Sequence, residues 1–509
     1  MEFEFEFSAF FLLLTSFFFF FIFKLGINQS KIIKPKLNLP PGPRKLPFIG
    51  SLHLLAGSNP PQYTLRDLAK KYGPLMYIKL GEVGNVVVSS PETAKQFLKT
   101  HDVVFASRPS LLASEISCYN NTDVAFAPYG EYWRQLRKIC TLELLSVKRV
   151  KSFKNIREEE VLGLCKWIAE NEGSSFNLME KISMTNYDIM ARAALGKKSG
   201  EQAKFVAVVK GAVEFFSVFR VVDVYPSFRF FHRFSPQRRK IQNLHDQSDT
   251  IIGKIMEERR AEYATESDDR LEKDEDFLDV LFRLQSDGSL QIPLTTDNVK
   301  AILAEMFGAG TVTSSNIVEW AMAEMLNNPR VLKRAQDEVR EVFDSKKNVN
   351  ESYFDELKYL KLVIKETLRR HPPAPLLLPR ESRERCEING FEIPAGTRVL
   401  VNVWAMGRDP EYWEDPESFK PERFVEKAVD FKGNSYEYIP FGAGRKMCPG
   451  ITFGLANVEM PLAMFLYYFD WILPHGIKPE DLDMTEFNGV ENRKKHNLCA
   501  IPLLRRPLP

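Results

Sequence analysis

The apolar positions of this chain recur mostly with the spacing of an α-helix, and long amphipathic stretches dominate from Gly130 onward. The pattern predicts helices over residues 60–72, 132–138, 301–325, 359–370 and 451–464, with a further short helix that begins at Pro91. It predicts strands at residues 75–80 and 85–89, joined through Gly81 and Gly84, and a small sheet within 387–400. We therefore expect a mainly α fold with a minor β region.

The amino terminus has a different pattern. Residues 7–23 are a charge-free stretch rich in Phe and Leu, which as a helix spans about 25 Å, close to the ~27 Å core of an endoplasmic reticulum bilayer. Acidic residues precede it, no A-x-A cleavage site follows, and lysines lie just after it, so we predict a transmembrane helix with the rest of the chain in the cytosol. A buried core helix is the less favoured alternative.

A proline-rich stretch over residues 35–50 cannot form a regular helix and predicts a stiff hinge. The length of 509 residues would suggest about three domains on the usual size range. The candidate site residues, however, run from Trp133 to Cys448, so one large domain must enclose them. We predict a membrane anchor over 1–27, a hinge over 28–50 and a catalytic domain over 51–509.

Composition excludes several classes of function. The net charge is only +2, from 69 basic and 67 acidic residues, and no basic stripe suggests nucleic-acid binding. The six cysteines form no C-x-x-C pair, which argues against zinc and against a disulfide framework. Residues 266–276 hold seven acids and two bases, and they predict a solvated surface loop or frayed helix end.

Residues 441–450, F-G-A-G-R-K-M-C-P-G, are the most informative segment. Gly442 and Gly444 allow turns that residues with a Cβ resist. Cys448 follows two basic residues and precedes the predicted helix, whose dipole favours a thiolate at its amino-terminal end. A lone cysteine is usually a buried apolar residue, but this flanking pattern favours a metal ligand.

Phe441, Gly444, Arg445, Cys448 and Gly450 resemble the haem-binding signature F-x-x-G-x-R-x-C-x-G of the cytochrome P-450 monooxygenases, with Arg445 taken as its arginine. The resemblance implies the P-450 fold and haem b (iron protoporphyrin IX), contacted by Phe441 and bound at iron by the Cys448 thiolate. Thiolate ligation favours O–O cleavage. The similarity extends from the hinge to the carboxyl terminus and is closest to the microsomal plant enzymes of specialised metabolism.

The haem propionates need cations or hydrogen-bond donors. Trp133 and Arg137 lie four residues apart on a predicted helix and resemble the family's W-x-x-x-R, although taken alone they fit a core Trp and a surface Arg. Arg380 and Arg445 are the other propionate ligands that the resemblance implies.

Glu366 and Arg369 share a helix face, and Arg423 lies in a P-E-R-F segment. An exposed ion pair of this spacing would contribute less than about 1 kcal/mol. The resemblance to the family's E-x-x-R and P-E-R-F elements instead implies a structural triad that fixes the cysteine loop.

Residues 308–314, G-A-G-T-V-T-S, lie within the long predicted helix at 301–325. Glycine in mid-helix costs roughly 1 kcal/mol against alanine, and Ser or Thr can bond back to the i−4 carbonyl. Ala309, Gly310, Thr313 and Ser314 match the family's oxygen-binding groove, A/G-G-x-D/E-T-T/S. The resemblance implies that Thr313 would donate a hydrogen bond to dioxygen or its water.

Val312 stands where that family usually has Asp or Glu, an acid thought to help deliver protons. Glu305, eight residues before Thr313, lies about 80° around the helix and ~12 Å along it, so we expect it to be a poor substitute. Proton delivery would then use Thr311, Thr313, Ser314, water or the substrate. Hydroxylation, desaturation and oxidative ring closure all stay open.

By resemblance, substrate contacts come from residues 105–124, Met306 and Ala309, residues 375–377 and residues 487–489. These are mostly apolar, so we expect a small hydrophobic, ring-containing substrate. A terpenoid, or an indole alkaloid built from one, is the favoured class.

The implied activity is that of an NADPH-dependent monooxygenase in the endoplasmic reticulum membrane, using O2 and electrons from a separate NADPH–cytochrome reductase. One alternative is a haem-thiolate enzyme that rearranges peroxides without a reductase, but such relatives typically disturb the groove that Thr313 marks. A second is a haem-binding sensor or carrier without turnover, which Val312 makes conceivable.

Overall fold

The structure, a computed structural model, describes residues 37–198, 202–216, 220–230, 235–265, 275–489 and 491–509. Its α-helices are, in chain order, α1 Leu52–Leu55, α2 Pro61–Tyr72, α3 Pro91–Lys95, α4 Leu112–Ser117, α5 Glu131–Lys138, α6 Val147–Ser152, α7 Lys154–Glu170, α8 Leu178–Leu195, α9 Gln202–Val213, α10 Val221–Val224, α11 Pro236–Thr265, α12 Phe277–Ser286, α13 Thr296–Asn327, α14 Pro329–Lys346, α15 Lys358–Arg370, α16 Val403–Met406, α17 Arg423–Glu426 and α18 Ile451–Tyr468. The predicted helices are all present, most of them within a few residues of the predicted bounds.

The strands are β1 Leu75–Leu80, β2 Val83–Val88, β3 Phe176–Asn177, β4 Arg380–Glu381, β5 Cys386–Ile388, β6 Phe391–Ile393, β7 Arg398–Val401, β8 Phe469–Ile472 and β9 Cys499–Leu504. They form sheets with the orders β1-β2-β7-β4, β3-β9-β8 and β5-β6. The predicted hairpin is confirmed, with Leu80 opposite Val83, so that Gly81 lies in the turn while Gly84 belongs to β2. The expected mainly α architecture with a minor β region is confirmed.

Helix α13 is the central element of the core. Thr295 and Asn298 cap its amino-terminal end with reciprocal hydrogen bonds of 3.2 and 3.0 Å. The helix packs against α8 on one side and α18 on another, and nearly all of its carboxyl-terminal half is buried. Packing of this kind, rather than helix propensity, holds a helix that is apolar on most faces.

The predicted triad forms, with Glu366 and Arg369 completely buried and Arg423 largely buried. The Arg369 guanidinium donates to both oxygens of Glu366 at 2.7 and 2.8 Å, and Arg423 Nε donates to the same carboxylate at 3.0 Å. Arg369 and Arg423 also donate to backbone carbonyls of residues 407–418. The surface-pair alternative is wrong, and the triad instead ties α15 to the chain that leads into the cysteine loop.

Predictions for the amino terminus fall partly outside the described residues. The transmembrane prediction for residues 7–23 lies outside them, and no described helix combines the length and apolar character that crossing a bilayer requires. Residues 37–50 form no helix, as expected, and they pack on the first sheet, where Tyr77 N–H donates to the Pro41 carbonyl at 2.8 Å.

Most of the acidic run at residues 266–276 also lies outside the described residues. Its last member, Asp276, is an exception to the predicted solvated loop. It is buried, caps α12 and pairs with Arg259 at 2.8 Å.

Candidate active site

A cavity with a volume of ≈ 400 Å³ lies between α13, the loop at residues 440–449 and the first turns of α18. Cys448 lines it from the loop, and Ala309 and Thr313 line it from α13. Most of the other lining side chains are apolar, as in a site for a hydrophobic ligand. The structure thus brings together the two segments that the sequence singled out.

The cysteine loop has the glycine-dependent geometry that its sequence predicts. Gly442 and Gly444 have φ angles of 72° and 70°, in the left-handed region. A Cβ on Gly444 would collide with the Leu98 carbonyl oxygen, so this part of the loop lies directly against a neighbouring segment. The Cys448 N–H donates to the Phe441 carbonyl at 3.0 Å, which closes the loop just before α18 begins at Ile451.

The ionisation of Cys448 is less simple than the helix dipole suggests. Burial raises the pKa of the Cys448 thiol, while the Gly450 N–H and the nearby Arg137 lower it. Burial outweighs the other two effects, so the pocket by itself favours the thiol. A metal cation at the sulfur would reverse this preference and stabilise the thiolate.

Arg445 does not lie where the sequence analysis expected it. Its backbone N–H and its guanidinium both donate to Asp102, at 2.9 and 3.0 Å, and its side chain is 45% exposed. Lys446 lines the cavity instead, and its Nζ donates to the Ala127 carbonyl at 2.9 Å. Counting the signature from Phe441 to Cys448 also places its arginine at position 446, so the assignment to Arg445 was one residue out.

Lys446 therefore takes the place of the signature's arginine in a confined position. Burial lowers the pKa of Lys446 to about 6, with Arg108 as the next cause, while Asp123 and Glu305 raise it. A carboxylate ligand beside Lys446 would raise this pKa and favour the ammonium. The Lys446 Nζ also lies 4.3 Å from the centre of the Trp133 ring.

The other predicted cofactor residues line the cavity, and three of them already have hydrogen-bond partners. Trp133 Nε1 donates to the Val124 carbonyl at 2.8 Å. Arg380 donates to Asp102 at 2.8 Å and to the Ala443 carbonyl at 2.6 Å. Arg137 donates to the Met447 carbonyl at 2.6 Å, and Phe441 stands on the cavity wall beside it.

Three basic side chains face the cavity without a carboxylate partner. Arg108, Arg137 and Lys446 all line it, and in the described part of the chain none of them has an acidic oxygen within 4.0 Å. Their donors reach backbone carbonyls instead. Unpaired buried charge is costly, so this edge of the cavity is suited to a ligand that carries negative charge.

The groove in α13 is continuous helix, and its hydroxyls bond back along it as predicted. Thr311 donates to the Phe307 carbonyl at 2.7 Å, Thr313 to Ala309 at 2.7 Å and Ser314 to Gly310 at 3.0 Å. The Thr313 hydroxyl is therefore held at the cavity wall with its proton on the Ala309 carbonyl.

Gly310, a predicted catalytic residue, is not among the described residues that line the cavity. A Cβ there would lie 2.5 Å from the Met190 methyl group of α8. The glycine thus permits close packing of two helices behind the groove rather than access to it, and this packing compensates for its cost in mid-helix.

Glu305 lines the cavity, unlike Val312. Its carboxyl accepts the Val124 N–H at 2.8 Å, and burial together with the nearby Asp123 raises its pKa well above the usual value. Glu305 thus fixes the segment before α5, and this role agrees with the expectation that it is a poor substitute for an acid at position 312.

The predicted substrate regions contribute unevenly. Phe105 and Met306 are core residues, and residues 487–489 do not belong to the described lining. The residues from those regions that do line the cavity are Arg108, Ser117, Cys118, Asp123, Val124, Ala309 and Leu377. Glu491, which the sequence analysis did not single out, lines it as well. In the sequence, the only indication that Glu491 would line the cavity is that this charged residue lies close to a predicted substrate-contact region.

Comparison with known proteins decides the family. Residues 40–500 match the family described as Cytochrome P450. The chain belongs to the cytochrome P450 family. The match covers most of the sequence, including every residue that lines the cavity.

Relatives of this P450 are plant enzymes. It is 52% identical to premnaspirodiene oxygenase of Hyoscyamus muticus over 470 residues, covering 92% of this chain and 93% of that one. It is 51% identical to salviol synthase of Salvia pomifera over 473 residues, with 93% of each chain covered. A zebrafish cytochrome P450 structure described with progesterone has a TM-score of 0.76 over 88% of this chain and 100% of that one, at 24% identity, and supports the fold.

The residues around the cavity of this P450 fit a haem. The group needs a soft metal ligand on one side, an apolar surround and positive charge for its two propionates. Cys448, the apolar walls and the unpaired Arg108, Arg137 and Lys446 supply these features.

Proposed function

We propose that this P450 is a haem-thiolate monooxygenase that oxidises a hydrophobic plant metabolite, with terpenoids and terpenoid-derived indole alkaloids as the favoured substrates. The observation that carries the proposal is that Cys448 and Thr313 line one apolar cavity from opposing elements. Relatives named for the oxidation of premnaspirodiene and for making salviol support the substrate class.

Each residue has a defined task in this proposal. Cys448 would hold the haem iron, with Arg137, Arg380 and Lys446 beside the propionates. When bound, the haem supplies the cleavage of dioxygen that oxidises the substrate. Thr313 keeps a hydroxyl proton at the cavity wall, and the apolar side chains around it exclude bulk water and orient a ring system.

Electrons would come from NADPH through a separate reductase, and the protein would lie in the endoplasmic reticulum membrane with its catalytic domain towards the cytosol. The apolar residues 7–23 and the lysines after them support this placement. Basic residues near the cysteine loop, such as the exposed Arg445, are candidates for reductase docking.

The proposal is tested with microsomes that contain this P450 and a plant reductase. We expect NADPH-dependent oxidation of at least one member of a panel of terpenoids and indole alkaloids. If the product is hydroxylated, the added oxygen atom should come from labelled O2. If the protein converts a peroxide without NADPH and converts no other compound, the monooxygenase proposal is rejected.

Replacing Val312 by glutamate should raise the yield of product per NADPH consumed by about twofold or more, because an acid one residue before Thr313 can relay a proton. Val312→Gln is the control, since it adds a polar group of similar size without an acidic proton. Product, NADPH and peroxide are quantified on a terpenoid that the wild-type protein oxidises. Equal yields for wild type and Val312→Glu would remove position 312 from proton delivery.

Replacing Lys446 by methionine should speed haem loss about tenfold, because a charge-assisted hydrogen bond to a propionate contributes ~1.5–3 kcal/mol. Lys446→Arg should retain haem at least as well as wild type, since a planar guanidinium can donate two parallel hydrogen bonds to a carboxylate. Haem transfer to excess apomyoglobin, followed at the Soret band, gives the rates.

Arg445→Met is the matched control for that experiment, because Arg445 is bound to Asp102 outside the cavity. If Arg445→Met releases haem faster than Lys446→Met, the propionate contact belongs to Arg445 after all.

A further inference from the structure

Glu491 places a carboxyl group on the wall of a cavity that is otherwise mainly apolar. Its position is fixed by the backbone around it. The neighbouring Asn492 donates its N–H to the Pro373 carbonyl at 3.0 Å and accepts Trp320 Nε1 at 3.0 Å. Phe487 N–H donates to the Arg493 carbonyl at 2.8 Å, which closes the turn that carries Glu491.

This carboxyl has no cationic partner. Arg493 lies 4.0 Å from the centre of the Phe487 ring and 3.7 Å from Glu214, and within the described residues no basic nitrogen lies within 4.0 Å of the Glu491 oxygens. Burial raises the pKa of Glu491 to about 6, and Arg493 and Asn316 lower it. The group is therefore mainly ionised at neutral pH, inside a cavity that penalises an unpaired charge.

Asn316 is a second polar group at the same place. It is fully buried on α13, and its amide lies beside the Glu491 carboxyl and lowers the pKa of that carboxyl. Among the described residues Glu491 lines the cavity, whereas Asn316 does not. The Glu491 carboxylate is therefore the charged group that a ligand at this wall of the cavity meets.

We propose that Glu491 is the recognition point for a protonated amine on an otherwise apolar, ring-containing substrate. The carboxylate compensates the charge of the ammonium and accepts a hydrogen bond from it. Glu491 and Thr313 line the same cavity, so an amine held at Glu491 keeps the rest of the substrate in the space that Thr313 borders. The inference rests on the proposed function and specifies its substrate class.

The test compares two probes of nearly the same shape, N-benzylpiperidine, which is protonated at neutral pH, and benzylcyclohexane. Their dissociation constants are measured from the Soret shift of the purified haem protein. We expect the wild type to prefer the amine by about tenfold or more, as a buried charge-assisted contact provides. Glu491→Gln should reduce this preference below about threefold, because the amide keeps the size of the side chain but loses its charge.

Glu214→Gln is the matched control, since it removes a negative charge near Arg493 but at an exposed position, and it should keep the wild-type preference. Equal affinities for the two probes in the wild type, or an unchanged preference in Glu491→Gln, would overturn the inference. A red-shifted Soret band with the amine, which reports nitrogen bound at the iron, would also overturn it. If reduced protein with carbon monoxide shows no haem-thiolate band, the proposed function itself fails, and the two failures are thus distinguished.

Discussion

Replacing Cys448 by serine should abolish the red-shifted Soret band of the reduced, carbon monoxide-treated protein and lower turnover by more than about 100-fold. Loss of residues that merely support a metal ligand already costs 10–100-fold in affinity or activity, so loss of the ligand itself should cost more. A serine hydroxyl is a poor replacement because it does not ionise in a pocket that already raises the pKa of a thiol by burial.

The control is another cysteine of the same chain. Cys140 is fully buried in the core directly after α5, and burial raises its pKa without a metal being involved. Cys140→Ala should keep the carbon monoxide band and most of the activity. Full pigment and activity in Cys448→Ser would refute the haem-thiolate proposal outright.

The parts of the site that the sequence predicted are those carried by local patterns. Helix α13, helix α18 and the turn geometry of the cysteine loop follow from apolar periodicity, two glycines and spacing over a few residues. The Glu366 triad was also predictable, because the i, i+3 spacing on α15 fixes two of its three members.

The errors concern the direction of single side chains, which neighbours distant in the sequence decide. Arg445 and Lys446 are adjacent, yet Asp102 holds the first and the Ala127 carbonyl holds the second at the cavity. Gly310 looked like part of the groove, but Met190 of α8 lies against it from behind. Counting the spacing of the signature would have corrected the first assignment, whereas no local pattern reveals the contact between Gly310 and Met190.

Glu491 also depends on contacts that only the fold supplies. It lines the cavity, and the neighbouring Arg493 lies against the Phe487 ring and Glu214 instead of pairing with it. The predicted contact region at residues 487–489 ends two residues before Glu491.

Glu366→Gln should lower the free energy of unfolding by about 3–5 kcal/mol, a large share of the 5–15 kcal/mol typical of a domain. Removing the carboxylate leaves the buried Arg369 and the largely buried Arg423 side by side without their shared negative charge. The midpoint of guanidinium unfolding, read by intrinsic fluorescence, measures the change.

An exposed pair of similar spacing provides the comparison. Lys333 and Asp337 lie 2.9 Å apart on α14 with side chains 76% and 60% exposed, so Asp337→Asn should change stability by no more than about 0.5 kcal/mol. Equal unfolding midpoints for Glu366→Gln and Asp337→Asn would mean that the triad contributes no more than a surface pair.

The effect should reach the haem site through identifiable contacts. Arg369 and Arg423 hold the carbonyls of residues 407–418, and the Tyr438 hydroxyl ties the chain before Cys448 to the Lys365 carbonyl on α15 at 2.8 Å. Loss of the Glu366 charge therefore loosens the attachment that Arg369 and Arg423 make and leaves the Tyr438 hydrogen bond as the other one. We expect Glu366→Gln to lose its carbon monoxide band at a lower denaturant concentration than its fluorescence transition, whereas in the wild type the two should coincide.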